Sequence, residues 1–89
     1  MKDIVIYTLD YCPFCHKALK TLKENGIEFR QIDATNDEDR ISAELKNRFH
    51  IIGEVTYPQI IIDGKQFGGN DDLQDSIQNG AFNKMFREK

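Results

Sequence analysis

Cys12 and Cys15, the only two cysteines of the 89-residue chain, stand a single helical turn apart in the run Asp10-Tyr11-Cys12-Pro13-Phe14-Cys15-His16. Thiols at that spacing can do three kinds of chemistry. They can form a structural disulfide, supply half of a metal site, or trade electrons as a redox pair. A structural bridge closing so short a loop would remove little chain entropy and stabilise weakly. A zinc site needs a full tetrahedral set, and the remaining soft donors are His16 and His50. His16 directly follows Cys15 on the chain, which makes closure of a site within one chain awkward. The redox reading gains from the proline. If Cys12 caps a helix, Pro13 falls at its first position, where a fixed φ fits and a missing N–H costs nothing. The Cys12 sulfur then faces unpaired amides and the positive end of the helix dipole, a setting that favours thiolate. Cys15 lies a turn deeper on the same face, with Cα atoms roughly 5–6 Å apart and within disulfide reach. The pair is therefore asymmetric: an exposed attacking sulfur and an enclosed resolving one.

The elements around the pair follow from pattern. Ile4 to Thr8 is β-branched and aromatic and reads as a strand. Phe14, Ala18, Leu19 and Leu22 have helical spacing, and Asn25-Gly26 supplies a left-handed stop. Ile27 to Asp33 reads as a second strand. Asn36 caps a second helix with acids in its first turn and Ile41, Leu45 and Phe49 along one face. Pro58 to Asp63 is an apolar strand, Asp63-Gly64 a tight turn, and Lys65 to Phe67 the return strand. Gly68-Gly69 breaks the chain before a third helix capped at Asn70-Asp71-Asp72, and Ala81 to Arg87 can form one more. The order β-α-β-α-β-β-α, with an extra C-terminal helix, gives an α/β domain over residues 1–89. Its four-stranded mixed sheet, flanked by helices, has the first two strands parallel and the last two antiparallel. The cysteines fall at the carboxyl end of the first strand, the usual place for a site in such sheets.

Composition narrows the function. A net charge of -3 argues against a nucleic-acid footprint, which needs a clustered basic surface. The longest apolar run is Ile60-Ile61-Ile62, far short of a membrane span. The first ten residues lack the apolar stretch of a secretory signal, so a cytoplasmic location is expected, where a lone Cys-x-x-Cys is more often catalytic or metal-binding than a stabilising crosslink.

Three blocks together resemble the dithiol glutaredoxins, in the thioredoxin-like fold: "YTLDYCPFC", "TYPQIIID" at residues 56–63, and "GGNDDL" at residues 68–73. In this order they span nearly the whole chain. The resemblance implies a glutathione-disulfide oxidoreductase, a monomer that holds no cofactor and uses glutathione as an electron-donating co-substrate. Cys12 and Cys15 would be catalytic, with Tyr11, Pro13, Phe14 and a cis Pro58 supporting them. Thr56, Tyr57, Gly69, Asn70, Asp71 and Asp72 would bind glutathione: Tyr57 through its backbone, the Asn70 and Asp71 amides through the γ-glutamyl carboxylate, and Asp71 or Asp72 through the ammonium. Implied partners are disulfide-containing or glutathionylated proteins, ribonucleotide reductase among them, with neither nucleic acid nor membrane.

The chain also departs from that family. Leu9 stands where a Lys or Arg usually binds the glycyl carboxylate, and Glu54 and Val55 stand where a polar or basic residue often precedes the Thr of the proline loop. Arg48, Lys46 and His50 are candidate replacements. Tyr11, Phe14 and Tyr57 are expected to rim the site, and His16 to face solvent. The departures keep open a redoxin reduced by thioredoxin reductase. An iron–sulfur or zinc binding module is a lower alternative, and Pro13 disfavours the cluster.

Overall fold

The computed structural model describes residues 3–87, and side chains as far as Lys84. Strand β1, Ile4–Thr8, leads to helix α1, Pro13–Glu24, and then to strand β2, Arg30–Asp33. A single 3-10 turn at Thr35–Asp37 opens helix α2, Glu38–Phe49. Strands β3, Gln59–Ile62, and β4, Lys65–Gly68, form a hairpin, followed by helices α3, Asn70–Gln78, and α4, Ala81–Arg87. The sheet order is β2-β1-β3-β4, with β1 parallel to β2 and antiparallel to β3. This is the α/β architecture expected from the sequence, extra helix included.

Alternation along β1 splits the core in two. Ile4 and Ile6 join Ala18, Leu22, Ile60, Leu73 and Phe82 in a cluster beneath α1, α3 and α4. Tyr7 and the following Leu9 point to the other face, where Ala34, Ile41 and Leu45 form a second cluster with α2. All four residues of β3 are buried and all four of β2 are exposed, as befits a central and an edge strand.

Four boundaries differ from the sequence reading. The second strand begins at Arg30 rather than Ile27, because Ile27 is used to finish α1. Gly26 turns left-handed at φ 67°, and the Ile27 N–H bonds back to the Leu22 carbonyl at 3.0 Å. That closure buries Ile27 against Leu22 instead of extending it. Asn36 does not cap α2; the Asp33 carboxylate accepts from the Thr35 N–H and hydroxyl, winding the 3-10 turn first. The third helix is capped by Gly69, not Asn70, which is already the first helical residue. The Gly69 N–H is satisfied from inside by the Asp72 carboxylate at 3.1 Å, so no Asn side chain is needed there. Pro58 stands just outside β3, which starts at Gln59. The Asp63-Gly64 turn has positive φ at both positions, 51° and 79°, as a two-residue hairpin demands. The β3–β4 register skips Phe67, whose ring packs edge-on against Phe82 with centroids 5.5 Å apart.

Candidate active site

Cys12 is the N-cap of α1, with extended backbone angles, and Pro13 opens the helix. The Cys15 N–H donates to the Cys12 sulfur at 3.1 Å, and the Cys12 thiol reaches the Tyr57 carbonyl at 3.5 Å. An N–H aimed at sulfur is a bond that a thiolate accepts better than a thiol. Both cysteines are free. Cys12 is half-buried, whereas Cys15 is only 1 % exposed. Burial pushes the Cys15 thiol up to about 12; the contact with Cys12 adds to the rise and the Leu9 backbone opposes it. The sign is simple. Cys15 stays protonated through neutral and mildly alkaline pH, so the two sulfurs differ in reactivity as well as exposure. Iodoacetamide at pH 8 should therefore add one carbamidomethyl group to the reduced, folded protein, at Cys12, with a second only after denaturation. Peptide mass spectrometry reads this directly, and rapid double labelling of folded protein would contradict it.

The loop before Cys12 is held from three sides. The Cys12 N–H bonds to the Leu9 carbonyl at 3.2 Å, and the Leu9 side chain is packed into the α2-face cluster. The position where a cation was expected is therefore an anchor for the catalytic loop. His16 is exposed, as expected, yet its Nε2 donates to the Asp10 carbonyl at 2.8 Å. Tyr11 is exposed and its hydroxyl donates to Glu38 on α2, a bond that raises the phenol to about 12.

Opposite Cys12 the Tyr57-Pro58 bond is cis. A groove of about 270 Å³ runs beside it, lined by Phe14, Thr56, Tyr57, Pro58, Gly69, Asn70, Asp71 and Asp72. It gathers all six residues of the expected ligand site from two distant segments and adds Phe14, which is exposed rather than shared with the core. The Asn70 side chain is buried, and its Oδ1 accepts from Gln74 at 3.1 Å. Tyr57 is not a simple rim residue, since its ring packs with the α2-face cluster and its hydroxyl pairs with Ser42 at 2.8 Å.

None of the candidate cations lines this groove. Arg48 stacks over the Phe49 ring at 4.8 Å and faces Asp3, Arg30 and Gly64 at the far end of the sheet. Lys46 lines a neighbouring cleft that also holds Glu38, Asp39 and Glu54, and His50 takes the left-handed cap of α2 at φ 56°. Among the described residues no group of three or more His, Cys, Asp and Glu could hold a metal ion. No helix among them is long and apolar enough to cross a membrane.

Sequence reasoning missed Glu38, Ser42 and Gln59. Gln59 donates to the Thr56 carbonyl at 2.8 Å and accepts from Gln66 at 2.9 Å. The available signal was a polar residue opening an otherwise all-Ile strand.

The glutaredoxin family model matches residues 4–67. The chain belongs to the glutaredoxin family. It is 37% identical over 82 residues to glutaredoxin 1 of Rickettsia bellii, covering 92% of this chain and 84% of that one. It is 30% identical over 87 residues to glutaredoxin 3 of Escherichia coli K12, covering 98% and 100%. Its fold matches a buckwheat glutaredoxin–glutathione complex with a TM-score of 0.80 at 27% identity, over 94% of this chain and 76% of that one. Glutaredoxins are glutathione-dependent thiol–disulfide oxidoreductases, and Cys12 and Cys15 are the redox-active pair of this one.

One glycine of this glutaredoxin has no tolerance for a side chain. Gly68 sits at φ 145°, and a Cβ there would lie 2.2 Å from Asp72 Oδ2. Gly68→Ala must displace the carboxylate that caps Gly69 while straining the backbone, a combined cost of about 2–4 kcal/mol. Urea titration should show the midpoint falling with the slope unchanged; a midpoint equal to wild type would refute the clash.

Proposed function

We propose that this glutaredoxin reduces protein disulfides and glutathione mixed disulfides with electrons from glutathione. The observation that carries this reading is the groove lined by the cis-proline loop and the first turn of α3, whose Tyr57 carbonyl the Cys12 thiol reaches. Cys12 thiolate attacks a substrate disulfide and expels one thiol, forming a mixed disulfide. Cys15 then gives up its proton and attacks Cys12, releasing the second thiol and leaving a Cys12–Cys15 disulfide. One glutathione thiolate opens that disulfide at Cys12, and a second clears the mixed disulfide as oxidised glutathione. The glutathione cysteine would pair its backbone with Tyr57, as an added strand. Its γ-glutamyl carboxylate would meet the Asn70 and Asp71 amides at the α3 start, with the ammonium on Asp71 or Asp72. The likeness to a glutaredoxin solved with glutathione supports this placement.

A second reading, in which thioredoxin reductase supplies the electrons, is favoured by one observation: the groove lining contains neither Lys nor Arg to meet the glycyl carboxylate. A coupled assay separates the two. Oxidised protein is given NADPH with either glutathione and glutathione reductase, or thioredoxin reductase alone. Sustained turnover is expected with the first; turnover confined to the second would replace the proposal by its rival.

A further inference from the structure

We propose that Gln59 is a positioning residue, whose amide orients the Thr56–Tyr57 peptide so that the Tyr57 N–H faces the groove. This rests on the reading above that a substrate backbone pairs at Tyr57. Gln59 is buried, 5 % exposed, and both ends of its side-chain amide are engaged. Its Nε2 donates to the Thr56 carbonyl at 2.8 Å, and its Oε1 accepts from Gln66 Nε2 at 2.9 Å. The bond pattern fixes the amide orientation, because the Thr56 carbonyl can only accept.

Two geometrical facts give the relay a direction. Gln59 pairs with Tyr7, and Gln66 with Ile61 two residues further along β3, so both amides lie on the sheet face that Tyr7 shares with α2. The groove lies towards the opposite face, against Phe14 of α1 and the first turn of α3. Tyr57-Pro58 is the only cis bond among the described residues, so the Thr56–Tyr57 peptide is trans. In a trans peptide the C=O and N–H point in opposite directions. Holding the Thr56 carbonyl on the α2 face therefore aims the Tyr57 N–H at the groove. That N–H has no backbone partner among the described residues. The relay fixes in advance a donor placed to pair with the backbone carbonyl of an extended ligand.

The consequence is substrate selection. Disulfides flanked by a peptide backbone should benefit from Gln59, and disulfides without one should not. The test is single-turnover reduction by fully reduced protein of two substrates, glutathione disulfide and bis(2-hydroxyethyl) disulfide. In each case Cys12 and Cys15 lose two electrons and two protons, and the substrate becomes two thiols. Gln59→Leu should lower the rate constant for glutathione disulfide about five- to tenfold, the worth of one hydrogen bond. The rate for the hydroxyethyl disulfide should stay within about twofold of wild type, as expected if no hydrogen bond is lost. Equal losses on both substrates would mark a general lesion and overturn the inference, as would no loss on either. A wild-type protein with no preference for glutathione disulfide overturns the pairing at Tyr57 and the inference with it. If Gln59→Leu does not fold, Gln66→Leu decides: the same split, at about two- to threefold, supports the relay, and an unchanged ratio overturns it.

Discussion

Replacing Cys12 by Ser is expected to reduce every disulfide-reducing activity of this glutaredoxin to the uncatalysed background, whereas Cys15→Ser should retain reduction of glutathione mixed disulfides. The asymmetry follows from the geometry. Cys12 caps α1, carries the N–H of Cys15 on its sulfur and lies against the Tyr57 carbonyl at the groove. A serine hydroxyl at that place is no nucleophile towards sulfur, so no mixed disulfide forms. Cys15 is buried and held protonated, which suits it to wait until the mixed disulfide exists. Protein disulfides need that second attack, but a glutathione mixed disulfide can be cleared by a second glutathione. The measurements are steady-state assays on a glutathionylated peptide and on a protein disulfide. Cys12→Ser retaining deglutathionylation while Cys15→Ser loses it would reverse the assigned roles.

Phe82→Ala is expected to be the most damaging single truncation for stability. Phe82 is fully buried, packs edge-on against Phe67 and ties α4 to the cluster formed by Ile4, Ile6, Leu22 and Leu73. Removing a buried Phe ring costs about 3–5 kcal/mol. Domains of this size have about 5–15 kcal/mol in total. The melting temperature should fall by at least about 12 °C, at about 4–8 °C per kcal/mol. Circular dichroism melts measure it, and a fall under about 5 °C would mean that the cavity collapses at little cost. The groove should suffer as well, because α4 packs against α3, whose first turn closes one end of it.

What could be read from the sequence was mostly local. Cys12-Pro13, Asn25-Gly26 and Asp63-Gly64 specify their conformations within a few residues, and all three did so in the structure. The three motif blocks named the groove residues because each block is contiguous even though the groove is not. Interactions between segments were hidden. Nothing near Leu9 says that it will pack on Ile41 and Leu45, and nothing near Tyr57 names Ser42 as its partner. Ile27 misled for a related reason. A β-branched residue after glycine suits a strand or a helix-closing contact equally, and only Leu22 on the preceding helix decides between them.

The burial of Leu9 has a consequence for motion. A catalytic loop at the end of a strand could in principle fray by itself, opening and closing without disturbing the domain. Here the Cys12 amide bonds to a residue whose side chain is part of the α2-face core. The acceptor of that bond is thereby held in place by Ala34, Ile41 and Leu45. The amide's exchange for deuterium is therefore expected to be slower than that of a loop whose amides bond to nothing anchored, because the attacking sulfur's own residue is tied to a fixed point of the core.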